Sequence, residues 1–206
     1  MNRHLSAFWV VSGLLTGCAA EPAEDGSDDV ATEAITSLAG GHVSLGSTAG
    51  TTCSLSGSPQ LIFFGTDSTG RENYNFNTTP SVTSGRSCII VAQILFPSNF
   101  CVRIRGESMV GRTFSTPGAF GTVTLRSQWL QVVGGFLDLT APVPVSTTSV
   151  PFSNNIFQPG PLSPRGLTSL QLVVSPSVTA SGGVSPSINA DFSFGGATTT
   201  LDAFPC

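Results

Sequence analysis

An all-β fold, an antiparallel β-sandwich or jelly-roll-like domain, is predicted by three features of the sequence. Several segments alternate apolar with polar residues, which buries one face of an extended strand and wets the other. No window of a dozen residues carries a 3.6-residue apolar period free of Gly or Pro, so the basic signal of a helix is missing. Ser and Thr supply about a quarter of the 206 residues, and 23 Gly and 14 Pro add the residues that end strands and turn the chain. The count of about ten to twelve short strands, separated by turn residues, suits two stacked sheets.

Each element follows from its own pattern. LIFF at residues 61–64 is apolar on both faces and predicts a short covered strand. ENYNFN at 72–77 sets Tyr74 and Phe76 against Asn73, Asn75 and Asn77. CIIVAQILF at 88–96 is apolar on both sides except for Gln93, the pattern of a central strand. TVTLR at 122–126 opposes Val123 and Leu125 to Thr122, Thr124 and Arg126, and LQLVV at 170–174 puts Leu170, Leu172 and Val174 on one side. SINADFSF at 187–194 is the clearest strand, with Ile188, Ala190, Phe192 and Phe194 expected inward. Six prolines between Pro142 and Pro164 remove ladder donors, so residues 142–166 read as a long loop or an edge. PSVTSG at 80–85 and PSVTASGG at 176–183 echo one another and read as two similar hairpin connections.

The N-terminus has a different character. Arg3 and the free amine precede the apolar run LSAFWVVSGLL at residues 5–15, the layout of a signal peptide. This run is too short to cross a bilayer, which takes about 20 apolar residues. Leu15, Thr16, Gly17 and Cys18 follow, and LTGC resembles the lipobox of bacterial lipoprotein precursors. The resemblance covers the first eighteen residues. It implies that residues 1–17 are cleaved, that Cys18 receives a diacylglyceryl thioether and its new amine an acyl chain such as palmitate, and, with Ala19 next, that the address is the outer membrane. The membrane is then a partner through this anchor, the domain lying in the periplasm or on the cell surface. Each buried acyl CH₂ contributes about 0.8 kcal/mol, so several chains hold permanently.

Charge divides the rest. Glu21, Glu24, Asp25, Asp28, Asp29 and Glu33 are half of the twelve acids and face no basic residue, so residues 18–37 read as a disordered acidic tether. Residues 38–206 form the single β-sandwich domain, where seven Arg meet six acids and no Lys occurs in the chain. A body of formal charge 7 − 6 = +1 carries no nucleic-acid footprint.

Beyond Cys18 an even set remains: Cys53, Cys88, Cys101 and Cys206. Two disulfides are expected in an exported chain. If residues 97–99 turn a hairpin, Cys88 and Cys101 lie roughly 20 Å apart along the ladder, well past the reach of a bridge. Cys53–Cys88 with Cys101–Cys206 is then favoured weakly over the crossed pairing. A metal site would want CxxC spacing and histidines, and has neither.

Chemistry-bearing motifs are sparse. His42 is the single histidine beyond the leader and reads as a solvated or capping residue. No GxSxG elbow occurs, GESMVG at 106–111 coming nearest. Glu72, Glu107, Asp138 and Asp191 could pair as glycosidase-like carboxylates, although Asp138 and Asp191 sit on polar strand faces. Asp67, Glu72, Asn73 and Asn75 offer oxygens to calcium, yet DSTG is an ordinary tight turn. Arg103 and Arg105 share a strand face, with Arg112 nearby; they suit a carboxylate or sulfated sugar, or a solvated face that discourages edge pairing. One Trp (Trp129) and one Tyr (Tyr74) beyond the leader make few sugar platforms. The expectation is a lipid-anchored cell-envelope β-sandwich without catalysis or cofactor, acting in surface structure, adhesion or binding of a surface glycan or protein. The alternative is an envelope hydrolase using paired carboxylates.

Overall fold

The computed structural model describes residues 41–206 other than Thr52, Ser87, Val133, Gly134 and Thr147. The expected signal peptide, Cys18 and the acidic tether lie outside the described residues. Twelve strands follow one another: β1 (Ser44–Thr51), β2 (Ser54–Leu55), β3 (Gln60–Thr66), β4 (Glu72–Thr78), β5 (Pro80–Thr83), β6 (Ile89–Leu95), β7 (Phe100–Ser115), β8 (Phe120–Trp129), β9 (Phe136–Val143), β10 (Val150–Phe157), β11 (Ser169–Ser181) and β12 (Ile188–Pro205). They form two antiparallel sheets packed face to face. The first runs β1-β6-β11-β8-β9 and the second β10-β7-β12-β4-β3, with β5 beside the start of β12 and β2 beside β5.

The period-two segments build the interface between the sheets. Tyr74 and Phe76 of β4, Ile104 and Met109 of β7, and Phe192 and Leu201 of β12 bury their side chains against Ile90 and Ile94 of β6, Leu125 and Trp129 of β8, and Leu170 and Leu172 of β11. Fully burying each such side chain contributes roughly 1.5–3 kcal/mol. Trp129 also donates its indole N–H to the Pro161 carbonyl at 3.0 Å, so the single body Trp serves the core.

Several expectations need correction. LIFF is the outer strand β3, with Leu61 buried and Phe64 65% exposed; a short apolar run does not reveal whether it lies at an edge. CIIVAQILF is central in its sheet, but only Ile90, Ala92 and Ile94 are fully covered, and Ile89 on the other face is exposed. Phe194 is 57% exposed because β12 bulges between Asp191 and Gly196, where Gly196 adopts φ 94° and the alternation breaks. The stretch 142–166 contains an eight-residue strand, β10, which pairs only β7; Pro151 fits there because an edge strand has a side that needs no donor. The two PSVT echoes are not hairpins: β5 and β11 each end near a positive-φ glycine, Gly85 and Gly182, after which the chain enters the opposite sheet.

The disulfides join Cys53 to Cys88 and Cys101 to Cys206, with Cα separations of 5.0 and 5.4 Å, the pairing towards which the sequence leans. The premise behind that leaning was different from the structure. Residues 96–99 do not turn a hairpin but carry the chain from β6 in the first sheet to β7 in the second. The bridges belong to an oxidising, extracytoplasmic setting. Among the described residues no helix is long and apolar enough to cross a membrane.

Closing sequence separations of 35 and 105 residues stabilises by about 4 and about 5 kcal/mol respectively in the chain-entropy picture. Replacing Cys101 and Cys206 together by Ala is therefore expected to lower the urea midpoint more than replacing Cys53 and Cys88. Equilibrium unfolding of the two double variants measures the order.

Candidate functional site

The outer face of the second sheet holds the site. Along β7 the residue Ile104 turns inward, which leaves Arg103 and Arg105 outward on either side of it; Arg105 is the extra residue of a bulge opposite Thr200 and Leu201. In β12, Leu201 and Ala203 are buried in the core, so Asp202 and Phe204 face out. Register sets Asp202 directly opposite Arg103 on one side and Asn73 on the other. Asp202 is nevertheless 0% exposed, because the arginines cover it. Arg103 donates from Nε at 3.1 Å and Nη2 at 2.6 Å, a two-pronged pair, and Arg105 donates from Nη1 at 3.3 Å.

A third arginine arrives from the β3–β4 turn. Asp67 Oδ1 accepts from the Thr69 amide at 2.8 Å, the Thr69 hydroxyl at 2.6 Å and the Arg71 amide at 3.1 Å. The Thr69 hydroxyl bond is the foremost reason the Asp67 pKa lies below its usual value. This turn fixes the Arg71 backbone. Its guanidinium lies 5.2 Å from the Phe204 ring centroid, and Arg103 lies 5.6 Å from it. Arg71, Arg103, Arg105, Phe157, Gln158 and Pro159 line one cavity of about 260 Å³. Three guanidiniums thus line one cavity, and two of them pair with one buried carboxylate. Arg103 is spent on Asp202, whereas Arg71 makes no ion pair among the described residues and Arg105 keeps most of its donors free.

The other sequence candidates are dispersed. Glu72 turns to the inner side of β4, where it accepts from the His42 amide at 2.9 Å, from the His42 ring and from the Tyr74 hydroxyl at 2.5 Å. His42 stacks on Phe100 at 4.5 Å. Burial raises the Glu72 pKa, but the bonds from Tyr74 and His42 outweigh it and hold the carboxyl below the usual range. Burial and the Glu72 contact push Tyr74 up. Since Asn73 and Asn75 face the opposite side of β4, the oxygens considered for calcium do not converge. Asp138 pairs with Arg126, through Nε at 2.6 Å and Nη2 at 2.7 Å. Asp191 accepts from the Ser193 amide at 2.9 Å within the β12 bulge. Arg112 leaves the cluster to lie 4.8 Å over Phe194.

Glu107 is the exception among the acids. It faces the core opposite Thr199 and is fully buried. Neither carboxyl oxygen completes a hydrogen bond; the nearby Ser127 hydroxyl is shared with Thr199 at 2.7 Å. Burial pushes its pKa up to about 8, against partial relief from Ser127. A sealed acid of this kind cannot meet a substrate, and it shares no accessible cleft with a second carboxylate.

Arg71, Asp202, Phe204 and Phe157 were not singled out as site residues in the sequence. The alternation in TLDAF was the available signal for Asp202, since it places Leu201 and Ala203 on one side and Asp202 on the other.

Removing Asp202 leaves Arg103 without its partner. Asp202→Ala is expected to cost about 3 kcal/mol or more by denaturant melting, as for other broken buried pairs, while Arg71→Ala should stay within about 0.5 kcal/mol. For Glu107 the folded pKa of about 8 exceeds its ordinary 4.5, so between these values the folded state keeps a proton that the unfolded state has released. Stability must then fall as pH rises from about 4.5 to 8, by a few kcal/mol. Glu107→Gln is expected to flatten that fall, read from melting temperatures across the range.

No family model matches the chain, and no curated protein does. Among solved structures, that of TmCBM61 in complex with β-1,4-galactotriose aligns with 72% of this chain and 88% of its own, at 10% identity and a TM-score of 0.25.

Proposed function

We propose that this chain is a lipid-anchored β-sandwich of the bacterial cell envelope that binds a ligand without transforming it, taking an oxyanion of that ligand in the cavity between Arg71 and Arg105. One observation carries the reading: three guanidiniums line one cavity, two of them pairing with the single buried carboxylate of Asp202 and the third in no ion pair among the described residues, so positive charge is left over there. Such a cluster repels itself unless something anionic completes it, and paired guanidinium donors match the planar oxygens of carboxylate or sulfate. Catalysis has less support. Five of the six body acids are held in turns, ion pairs or hydrogen bonds, and Glu107 is sealed. Residues 18–37 serve as the leash, with Cys18 carrying the lipid.

Two measurements test this. Inorganic sulfate at about ten times its dissociation constant should stabilise the protein by about 1.4 kcal/mol, a rise of a few degrees in melting temperature. Arg71→Ala with Arg105→Ala should lose that rise and keep only the general salting-out effect of sulfate; equal shifts in both proteins reject the pocket. Wild type should partition into detergent and Cys18→Ala should not, and identical partitioning rejects the anchor.

A further inference from the structure

The register of the second sheet extends the site beyond its arginines. Gln60 of β3 lies opposite Asn77 of β4, Asn77 opposite Thr198 of β12, Thr198 opposite Ser108 of β7, and Ser108 opposite Asn155 of β10. Cross-strand partners share a face, and these five face out, since Phe76, Ala197, Thr199 and Met109 beside them are buried inward. An unbroken row of uncharged amides and hydroxyls therefore crosses all five strands, about 19 Å from end to end at the usual strand spacing. The Thr198 hydroxyl donates to Asn77 Oδ1 at 2.9 Å, and in the adjacent row Thr200 donates to Asn75 Oδ1 at 3.1 Å. Both amide groups are thereby oriented with their N–H₂ donors left for something else.

The row next to it ends on an aromatic. Phe157 lies opposite Gly106, where a Cβ would come within 2.7 Å of the ring; glycine is what lets the ring lie close over the sheet. Phe157 is 66% exposed and also lines the arginine cavity. One face thus offers, side by side, an oxyanion clamp, an exposed aromatic ring and a long row of neutral hydrogen-bonding groups. An acidic peptide brings few hydroxyls to a long neutral row, and a nucleic acid presents its phosphates along a strip where this face offers uncharged amides and hydroxyls. A chain of sugar rings has hydroxyls for the row, an apolar ring face for Phe157 and an acidic substituent for Arg71 and Arg105.

We infer that the outer face of the second sheet binds an acidic polysaccharide, its carboxylate or sulfate held by Arg71 and Arg105 and its hydroxyls by the row from Gln60 to Asn155. This inference rests on the arginine pocket of the proposed function and adds the ligand class.

The test uses the full chain in detergent at low salt, with polygalacturonate, dextran sulfate, neutral dextran and polyglutamate as probes, and inorganic sulfate alongside. Binding of polygalacturonate or dextran sulfate at least tenfold tighter than of dextran and polyglutamate is expected, and whichever is preferred identifies the anionic group. Gln60→Leu with Asn155→Leu should weaken that binding at least fivefold and leave the sulfate-induced stabilisation unchanged, since neither residue lines the arginine cavity; Phe157→Ala, at the cavity's edge, should weaken polysaccharide binding at least fivefold. Polyglutamate bound equally well, or row and Phe157 variants that bind as wild type, overturns the inference. If sulfate stabilises but neither acidic polysaccharide binds, the ligand class is wrong and the pocket stands; if sulfate also fails, both fall.

Discussion

Everything on the functional face depends on the pairing of β7 with β12, the two longest strands, which run antiparallel through the centre of the second sheet. That pairing places Arg103 against Asp202 and closes at its end with the Cys101–Cys206 bridge. A buried carboxylate needs cations and hydrogen bonds to offset its desolvation. Here the offset is supplied from the solvent side, so the same contact that satisfies Asp202 arrays guanidiniums on the surface. Structure and candidate function use one group of side chains.

The two unusual acids illustrate opposite solutions to burial. Glu72 is surrounded by donors and kept ionised; at Glu107 desolvation outweighs the little relief that Ser127 gives, and the acid is kept protonated. They therefore act on stability in opposite senses. Bonds to Glu72 are present above its unfolded pKa and lost on acidification, whereas the stability that goes with protonated Glu107 is full below about pH 4.5 and is lost as pH rises to about 8.

Seven of the eleven connections between successive strands pass from one sheet to the other. A fold so rich in distant pairings pays its loop-closure entropy before most contacts form, which is the regime of slow folding. The covalent link between residues 101 and 206 counters this by shortening the effective separation of the central strand pair.

Period-two alternation is a local property, so the strands at 72–77, 122–126, 170–174 and 188–192 could be read directly from the chain, as could the all-β class and the even set of four body cysteines. The leader and LTGC are equally local, and their reading rests on the sequence alone. Neither the edge position of Phe64 nor the reversal at Phe194 was legible, because one depends on which strand comes alongside and the other on a bulge. Arg71, Arg103, Arg105, Asp202 and Phe157 come together only through the register of three strands and a turn that lie up to 131 residues apart. Register over such distances is chosen by the best joint burial of both sheets, a sum over the whole core that no single stretch of sequence contains.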